Sequence, residues 1–242
     1  AFSKISGLLF SICSLVLSLL LISDLAIVED TNYAWVPQLG INFHLHMDGI
    51  SALLVLLTNF LVPIIILSTF KSQYDHYSSS LYGLILLMQV GLLGVFLAQD
   101  CFVFYVFWEM ALIPIYFICG LFSNEDNKSA NFKFFIYTVL GSLFMLAGII
   151  FLFTLIPIPF SFDFSFLCAL TLDDYTSRWV FWAFFIAFAI KIPIFPFHTW
   201  QPGAYSKAPS VGTMLLSGIM LKMGIFGFLK WVIPVVPEAF SA

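Results

Sequence analysis

The chain has 242 residues, of which 62% are hydrophobic, 19% aromatic and only 9% charged, with a mean hydropathy of +1.06 and a formal charge of -4. Soluble domains carry about 25% charged residues, so this composition excludes one and specifies a polytopic membrane protein. The small negative balance offers no basic surface for nucleic acid, and Cys13, Cys101, Cys119 and Cys168 have neither CxxC nor ligand spacing, so no iron–sulfur cluster or zinc site is expected here.

A hydrocarbon core of about 30 Å calls for apolar helices of about 20 residues, and the sequence supplies about seven with no soluble domain left over. The expected fold is therefore all-α, a single transmembrane helix bundle over residues 1–242. The first span runs from Ile5 to Ile22. The loop behind it carries Asp24, Glu29, Asp30 and Asp48 but no Lys or Arg, which reads as extracytoplasmic. The second span starts at Asp48, a helix-capping residue, and ends near Phe70 before Lys71 and the polar turn QYDHYSSS. The third, Leu81 to Ala98, is separated from the fourth only by Gln99 and Asp100, so these two must be antiparallel neighbours. Asp100, like Asp48, is expected to cap the helix that follows it.

A polar SNEDNKSAN turn leads to the fifth span, Phe132 to Ile156, whose Gly141 and Gly148 suit close helix approach. Pro157 to Ser177 is acidic and Pro-interrupted, and its FSFLCAL piece is too short to cross, which predicts an interfacial or re-entrant segment. The sixth span, Arg178 to Trp200, contains Pro193 and Pro196. Each lacks an N–H and crowds the carbonyl four residues back, so the helix should break just after Lys191. The seventh span covers Pro209 to Val232. In this alternation Lys4, Lys71, Lys128, Lys133 and Lys207 fall on one side and Arg178 and Lys230 on the other, which makes the first side cytoplasmic. With no initiator Met and an apolar run close to its last residue, the chain is expected to be a piece of a longer protein.

Three charges lie inside the apolar runs. Glu109 sits in the fourth span, CFVFYVFWEMALIPIYFICGLF; Lys191 follows the run beginning at Trp179; Lys222 lies in MLLSGIMLKMGIFGFLKW. At about 1.5 Å per residue Glu109 is roughly 10 Å, and the two lysines about 20 Å, from the ends where their helices begin, too deep for the lysines to reach water by snorkelling. A charge at such depth normally faces a partner or a hydrated path. Tyr105, Glu109 and Tyr116 share one helical face, placing hydroxyls beside the acid, and Pro114 frees the Met110 carbonyl. A Glu–Lys pair at about 4 Å and an effective dielectric near 20 attracts with about 4 kcal/mol. One charge crossing 100 mV is worth about 2.3 kcal/mol, so making or breaking such a pair is matched to a proton-motive force.

Glu109, Lys191, His198 and Lys222 are therefore the candidate proton-translocating residues, with the His198 imidazole, a side-chain type that passes protons, seven positions beyond Lys191 and on the same helical face. Inert readings stand beside these: Glu109 with Lys191 as a structural ion pair, Lys222 as an interhelical hydrogen bonder, His198 as a helix-end cap. His44 and His46 sit in a solvated loop without further ligands and are read as no metal site. The runs Phe102 to Phe107 and Phe181 to Phe188 are read as lipid-facing or packed surface.

Together, DGISALLVLLTNFLVPIIILSTF, FVFYVFWEMALIPIYFICGLF, KIPIFPFHTWQP and the APSVGTMLLSGIMLKMG helix resemble the antiporter-like, proton-translocating subunits of respiratory NADH:quinone oxidoreductase (complex I). The FWEMALIP and FHTWQP forms are most similar to the M-type (chain 4) members. The resemblance implies a fourteen-helix subunit with two inverted five-helix repeats, of which residues 81–232 would be the first. It carries the family's functional Glu onto Glu109, its broken-helix Lys onto Lys191 and its following Lys onto Lys222, with His198 between them. It also implies no cofactor on this chain, NADH, FMN, iron–sulfur clusters and quinone on other subunits, other complex I membrane subunits as partners within the lipid bilayer, and a bacterial inner membrane or equivalent energy-transducing membrane.

After HTW, where relatives commonly read LPDAH, this chain has Gln201 to Tyr205 with neither acid nor second His, so the resemblance assigns that loop no proton-entry role. A subunit of a multisubunit cation/proton antiporter or membrane-bound hydrogenase shares these features. A structural scaffold whose charges only pin helices is the reading from another class.

Overall fold

The structure, a computed structural model, describes residues 2–23, 30–70, 78–123, 128–156 and 161–237. Helix α1 (Phe2–Ser23) is followed by an antiparallel hairpin of β1 (Thr31–Val36) and β2 (Ile41–Leu45), then by α2 (Gly49–Ser68), α3 (Ser78–Leu97), α4 (Cys101–Leu121) and α5 (Lys128–Leu155). A single short turn of helix, α6 (Phe164–Cys168), precedes α7 (Asp174–Lys191), α8 (Gln201–Lys207) and the long α9 (Ser210–Val235). Helices dominate because in hydrocarbon each backbone N–H and C=O must be satisfied within its own segment.

Among the described residues, 6 helices are long and apolar enough to cross a membrane: α1, α2, α3, α4, α5 and α9. The remaining expected span, Arg178 to Trp200, is the irregular one. α7 is 18 residues long, holds Asp174, Arg178 and Lys191, and stops at Lys191, after which the chain continues through turns, a 3₁₀ turn at Phe197–Trp200 and α8.

The helices starting at the hairpin end share one device. Asp48 accepts from the Ser51 N–H at 2.8 Å, Asp100 from the N–H groups of Phe102 at 2.9 Å and Val103 at 3.1 Å, Asp163 from Ser165 at 3.0 Å and Asp173 from Thr176 at 3.4 Å. Each carboxylate satisfies donors that a helix start leaves open and complements the positive end of the helix dipole.

Several hydrogen bonds between distant segments join ends that the alternation of spans puts on one face. Lys4 Nζ donates to the Phe70 carbonyl (3.2 Å), Ser123 Oγ to the Lys207 carbonyl (2.7 Å) and Lys133 Nζ to the Thr199 carbonyl (2.8 Å). At the other end Lys230 Nζ meets Asp48 at 2.5 Å, and the Phe164 N–H donates to the Gln99 carbonyl at 2.7 Å.

The hairpin adds a small sheet to an otherwise helical chain. Gly40, at φ 68°, makes its turn in the left-handed region. It docks through Trp35 on Phe102 and Phe43 on Phe107, with ring centroids 6.5 and 6.1 Å apart, and through the Asn42 N–H, which donates to Asp100 at 3.0 Å. Gly141 and Gly148 do face a neighbour: a Cβ at either would meet α7, at Ile190 (3.1 Å) and Ala183 (3.0 Å). The aromatic runs divide. Trp179 and Trp182 are exposed on the outer face, whereas Phe104 and Phe188, expected at lipid or on packed surface, are fully buried in the core.

Candidate functional site

Sequence placed a helix break after Lys191, and the backbone accounts for it bond by bond. Pro193 has no N–H to give the Ala189 carbonyl, so Ile194 N–H takes that acceptor at 2.9 Å. The Ile190 carbonyl thereby loses its ordinary helical donor, and the buried Trp200 indole N–H replaces it at 2.9 Å. The segment from Lys191 to Trp200 is thus folded back onto the end of α7 rather than continuing its axis.

Lys191 lies at this break and is only 2% exposed. Among the described residues its ammonium has no hydrogen-bond partner, and it sits 5.2 Å from the centroid of the Trp108 ring. The backbone of α9 passes close behind, where a Cβ on Gly224 would lie 3.3 Å from the Lys191 Cβ. Glu109, one residue beyond Trp108 on α4, is within electrostatic reach of Lys191 and lies beside the Tyr105 phenol and the Ser142 hydroxyl of α5. Among the described residues its buried Oε1 makes no hydrogen bond, and the Lys191 ammonium does not reach it as a bonded partner. Burial of two opposite charges near one another without direct pairing leaves both with unspent interaction energy, the condition under which a small displacement changes protonation.

The other candidates are placed differently. Lys222 donates to the Ser217 carbonyl at 2.6 Å inside a π turn, Leu216–Met220, of α9; such turns carry carbonyls out of the regular ladder. His198 lies on the 3₁₀ turn, so its face relationship to Lys191 along one continuous helix does not hold. Its Nδ1 is buried without a partner, and its ring lies 5.7 Å from that of Phe195. Tyr116 stacks on Phe135 at 4.7 Å rather than joining Tyr105 at the acid. Gln201 to Tyr205 forms α8, where the Tyr205 hydroxyl is buried without a partner.

Sequence reading missed Trp108, Trp200 and Ser142. Trp200 had a signal, an indole donor a few residues beyond two prolines that strip donors from a helix. Trp108 and Ser142 had none, because only tertiary packing brings them to Lys191 and Glu109.

A second polar group lies at the hairpin end. His44 Nδ1 pairs with Asp163 while its Nε2 is 3.8 Å from Asp30, and His46 Nδ1 pairs with Asp30. Among the described residues no three His, Cys, Asp or Glu side chains are grouped as a metal site. Burial works against the Asp48 carboxylate, but the hydrogen bond from Lys230 and the Ser51 N–H together hold it below its ordinary range. Asp163 is likewise held low, against burial, by Ser165 and His44. Asp100, fully enclosed, is pushed up by burial despite the N–H groups of Asn42, Val103 and Phe102.

This architecture has relatives. Over 208 residues the chain is 39% identical to NADH-quinone oxidoreductase subunit M of Rickettsia conorii, matching 85% of this chain and 41% of that protein. It is 40% identical over 217 residues to F(420)H(2) dehydrogenase subunit M of Methanosarcina mazei, 86% of this chain and 43% of that protein. A chain of respiratory complex I from Thermus thermophilus with bound NADH superposes with a TM-score of 0.86 at 33% identity, over 98% of this chain and 50% of that one. The chain therefore spans about half the length of the relatives it matches. Residues 98–241, which include all four candidate residues, match the family described as NADH:quinone oxidoreductase/Mrp antiporter, TM, and the chain belongs to that family.

Proposed function

We propose that this chain is the proton-translocating first half of a membrane subunit of an NADH:quinone oxidoreductase, residues 81–232 forming the first five-helix repeat. Electron transfer on other subunits, which hold NADH, FMN, iron–sulfur clusters and quinone, shifts the Glu109–Lys191 pair, and protons move through Lys191, His198 and Lys222. The chain works with the other membrane subunits of complex I in an energy-transducing membrane such as the bacterial inner membrane. The observation that carries this reading is the enclosed, unpartnered Lys191 ammonium at a helix break, with Glu109 near but not bonded. A purely structural ion pair would be expected to close into direct contact with its hydrogen bonds satisfied.

The test uses the full-length subunit in its native complex. Glu109→Gln is introduced, assembly is checked on a native gel, and inverted vesicles are assayed for NADH oxidation and the proton gradient it builds. Assembly with loss of both supports the reading; both near normal overturns it.

One observation favours a second reading. The Methanosarcina mazei relative is a subunit of an F(420)H(2) dehydrogenase at 40% identity, so these motifs serve more than one electron donor, and the family description includes an antiporter. Transport that follows a Na⁺ gradient or H₂ oxidation instead of NADH and quinone would favour the antiporter or hydrogenase reading.

A further inference from the structure

The surroundings of Lys191 have a feature that the translocation reading leaves without a role. Its ammonium reaches neither Glu109 nor any hydrogen-bond acceptor, yet it is 2% exposed. What it faces is the Trp108 ring, itself 3% exposed, 5.2 Å from the ammonium to the centroid. That ring is fixed by two fully buried neighbours, with Phe188 5.4 Å and Phe104 5.7 Å away between centroids. An ammonium taken out of water without hydrogen bonds is strongly disfavoured, and the electron-rich face of an indole, the best of the aromatic partners, offsets part of that loss most effectively where water is absent. Among the described residues Glu109 is the one charged group acting on Lys191, and Lys222 on the adjoining α9 is turned to the Ser217 carbonyl.

We infer that Trp108 is a positioning residue for the translocation step: it holds the Lys191 ammonium, through its ring face, in the disengaged arrangement in which Lys191 and Glu109 are apart. The inference rests on the proposed function and adds an alternative resting partner for the cation. With it, parting from Glu109 exchanges a carboxylate for a ring rather than for nothing. The switch then has two defined states instead of one state and an unstable gap.

Three replacements separate the ring's face from its bulk in the assembled complex. Trp108→Phe keeps a weaker face, Trp108→Leu keeps only apolar volume, and a ring-fluorinated tryptophan inserted at position 108 keeps the shape while draining electron density from the face. NADH-driven proton uptake into inverted vesicles is measured for each, beside Glu109→Gln. Phe is expected to retain most coupling, Leu to lose about tenfold, and the fluorinated ring to fall between them without loss of assembly. If the fluorinated ring behaves as native tryptophan while Glu109→Gln is inactive, Trp108 only fills space and the inference is overturned. If Glu109→Gln is itself fully coupled, the proposed function fails first, which is a different outcome.

Discussion

Across the break that ends α7, the Trp200 indole N–H donates to the Ile190 carbonyl at 2.9 Å, with both groups inside the core. This bond replaces the one that the Ile190 carbonyl loses when the Ile194 N–H is diverted to the Ala189 carbonyl, and without it the carbonyl is buried with no donor. Trp200→Phe keeps a benzene ring and deletes the N–H with the pyrrole part of the indole, so the expected cost is about 1–3 kcal/mol for an unmet buried acceptor plus that of the void left behind. Thermal unfolding of the assembled complex checks this. An unchanged midpoint would mean that the prolines alone set the break.

Lys191 offers a prediction with opposite signs for stability and for function. Among the described residues its ammonium is enclosed without a hydrogen-bond partner, so replacing it together with Glu109 by neutral side chains of similar length removes two buried charges and should stabilise the subunit. Lys191→Met combined with Glu109→Gln is expected to raise stability by about 1–4 kcal/mol, as when both members of a buried ionic pair give way to neutral groups, while abolishing coupled proton transport. Reduced thermal stability together with retained transport would instead mark Lys191 as a structural scaffold residue.

Six of the membrane spans, the break after Lys191, the Asp48 and Asp100 caps and the three intramembrane charges were legible in the sequence, because each follows from local rules: hydropathy, missing N–H groups, capping propensity and the expense of charge in hydrocarbon. What surrounds those charges was not. Trp108 and Ser142 reach Lys191 and Glu109 only through the packing of α4 on α5 and α7, and no spacing within one helix encodes that. His198 was placed on the face of Lys191 by helical periodicity, which the break itself cancels. The hairpin was not legible because Thr31–Val36 and Ile41–Leu45 are short and dock on α4 through Trp35 and Phe43, tertiary contacts that no local pattern encodes.

The seam between α5 and α7 is set by glycine. A Cβ at Gly148 would sit 3.0 Å from both the Ala183 Cβ and the Phe184 ring, and one at Gly141 would sit 3.1 Å from Ile190. The Ile190 backbone also carries the carbonyl bonded to Trp200, so moving α7 outward disturbs the break. Gly148→Val is expected to cost about 1–3 kcal/mol by overpacking and to lower coupling through displacement of α7. Gly83, where an added Cβ meets nothing within 4 Å, provides the control, and Gly83→Ala should leave thermal stability no lower. Equal behaviour of the two variants would refute the close-packed seam.

The hairpin end should loosen in acid. Asp48 and Asp163 are both held below their ordinary range in the folded state, Asp48 by Lys230 and Ser51 and Asp163 by Ser165 and His44, in each case against burial. A carboxyl with a depressed folded pKa contributes stability that is fully present above its unfolded value of about 3.9 and is lost as pH falls through the lower folded value. Asp100, pushed up by burial, has the opposite sign and loses stability as pH rises through its folded value, so it cannot be the source of acid loosening. Because Asp163 pairs with His44 on β2 and Asp48 with Lys230 on α9, protonation releases the hairpin and the α2–α9 contact before the helix core. Brief pepsin digestion of the complex in detergent, between about pH 4 and pH 2, should cut within residues 31–45 as pH falls while the apolar helices stay intact. Asp163→Asn, which cannot titrate, should cut at the higher end of that range as readily as at the lower. A hairpin equally resistant throughout, or helices cleaved first, would show that these carboxylates do not fasten it.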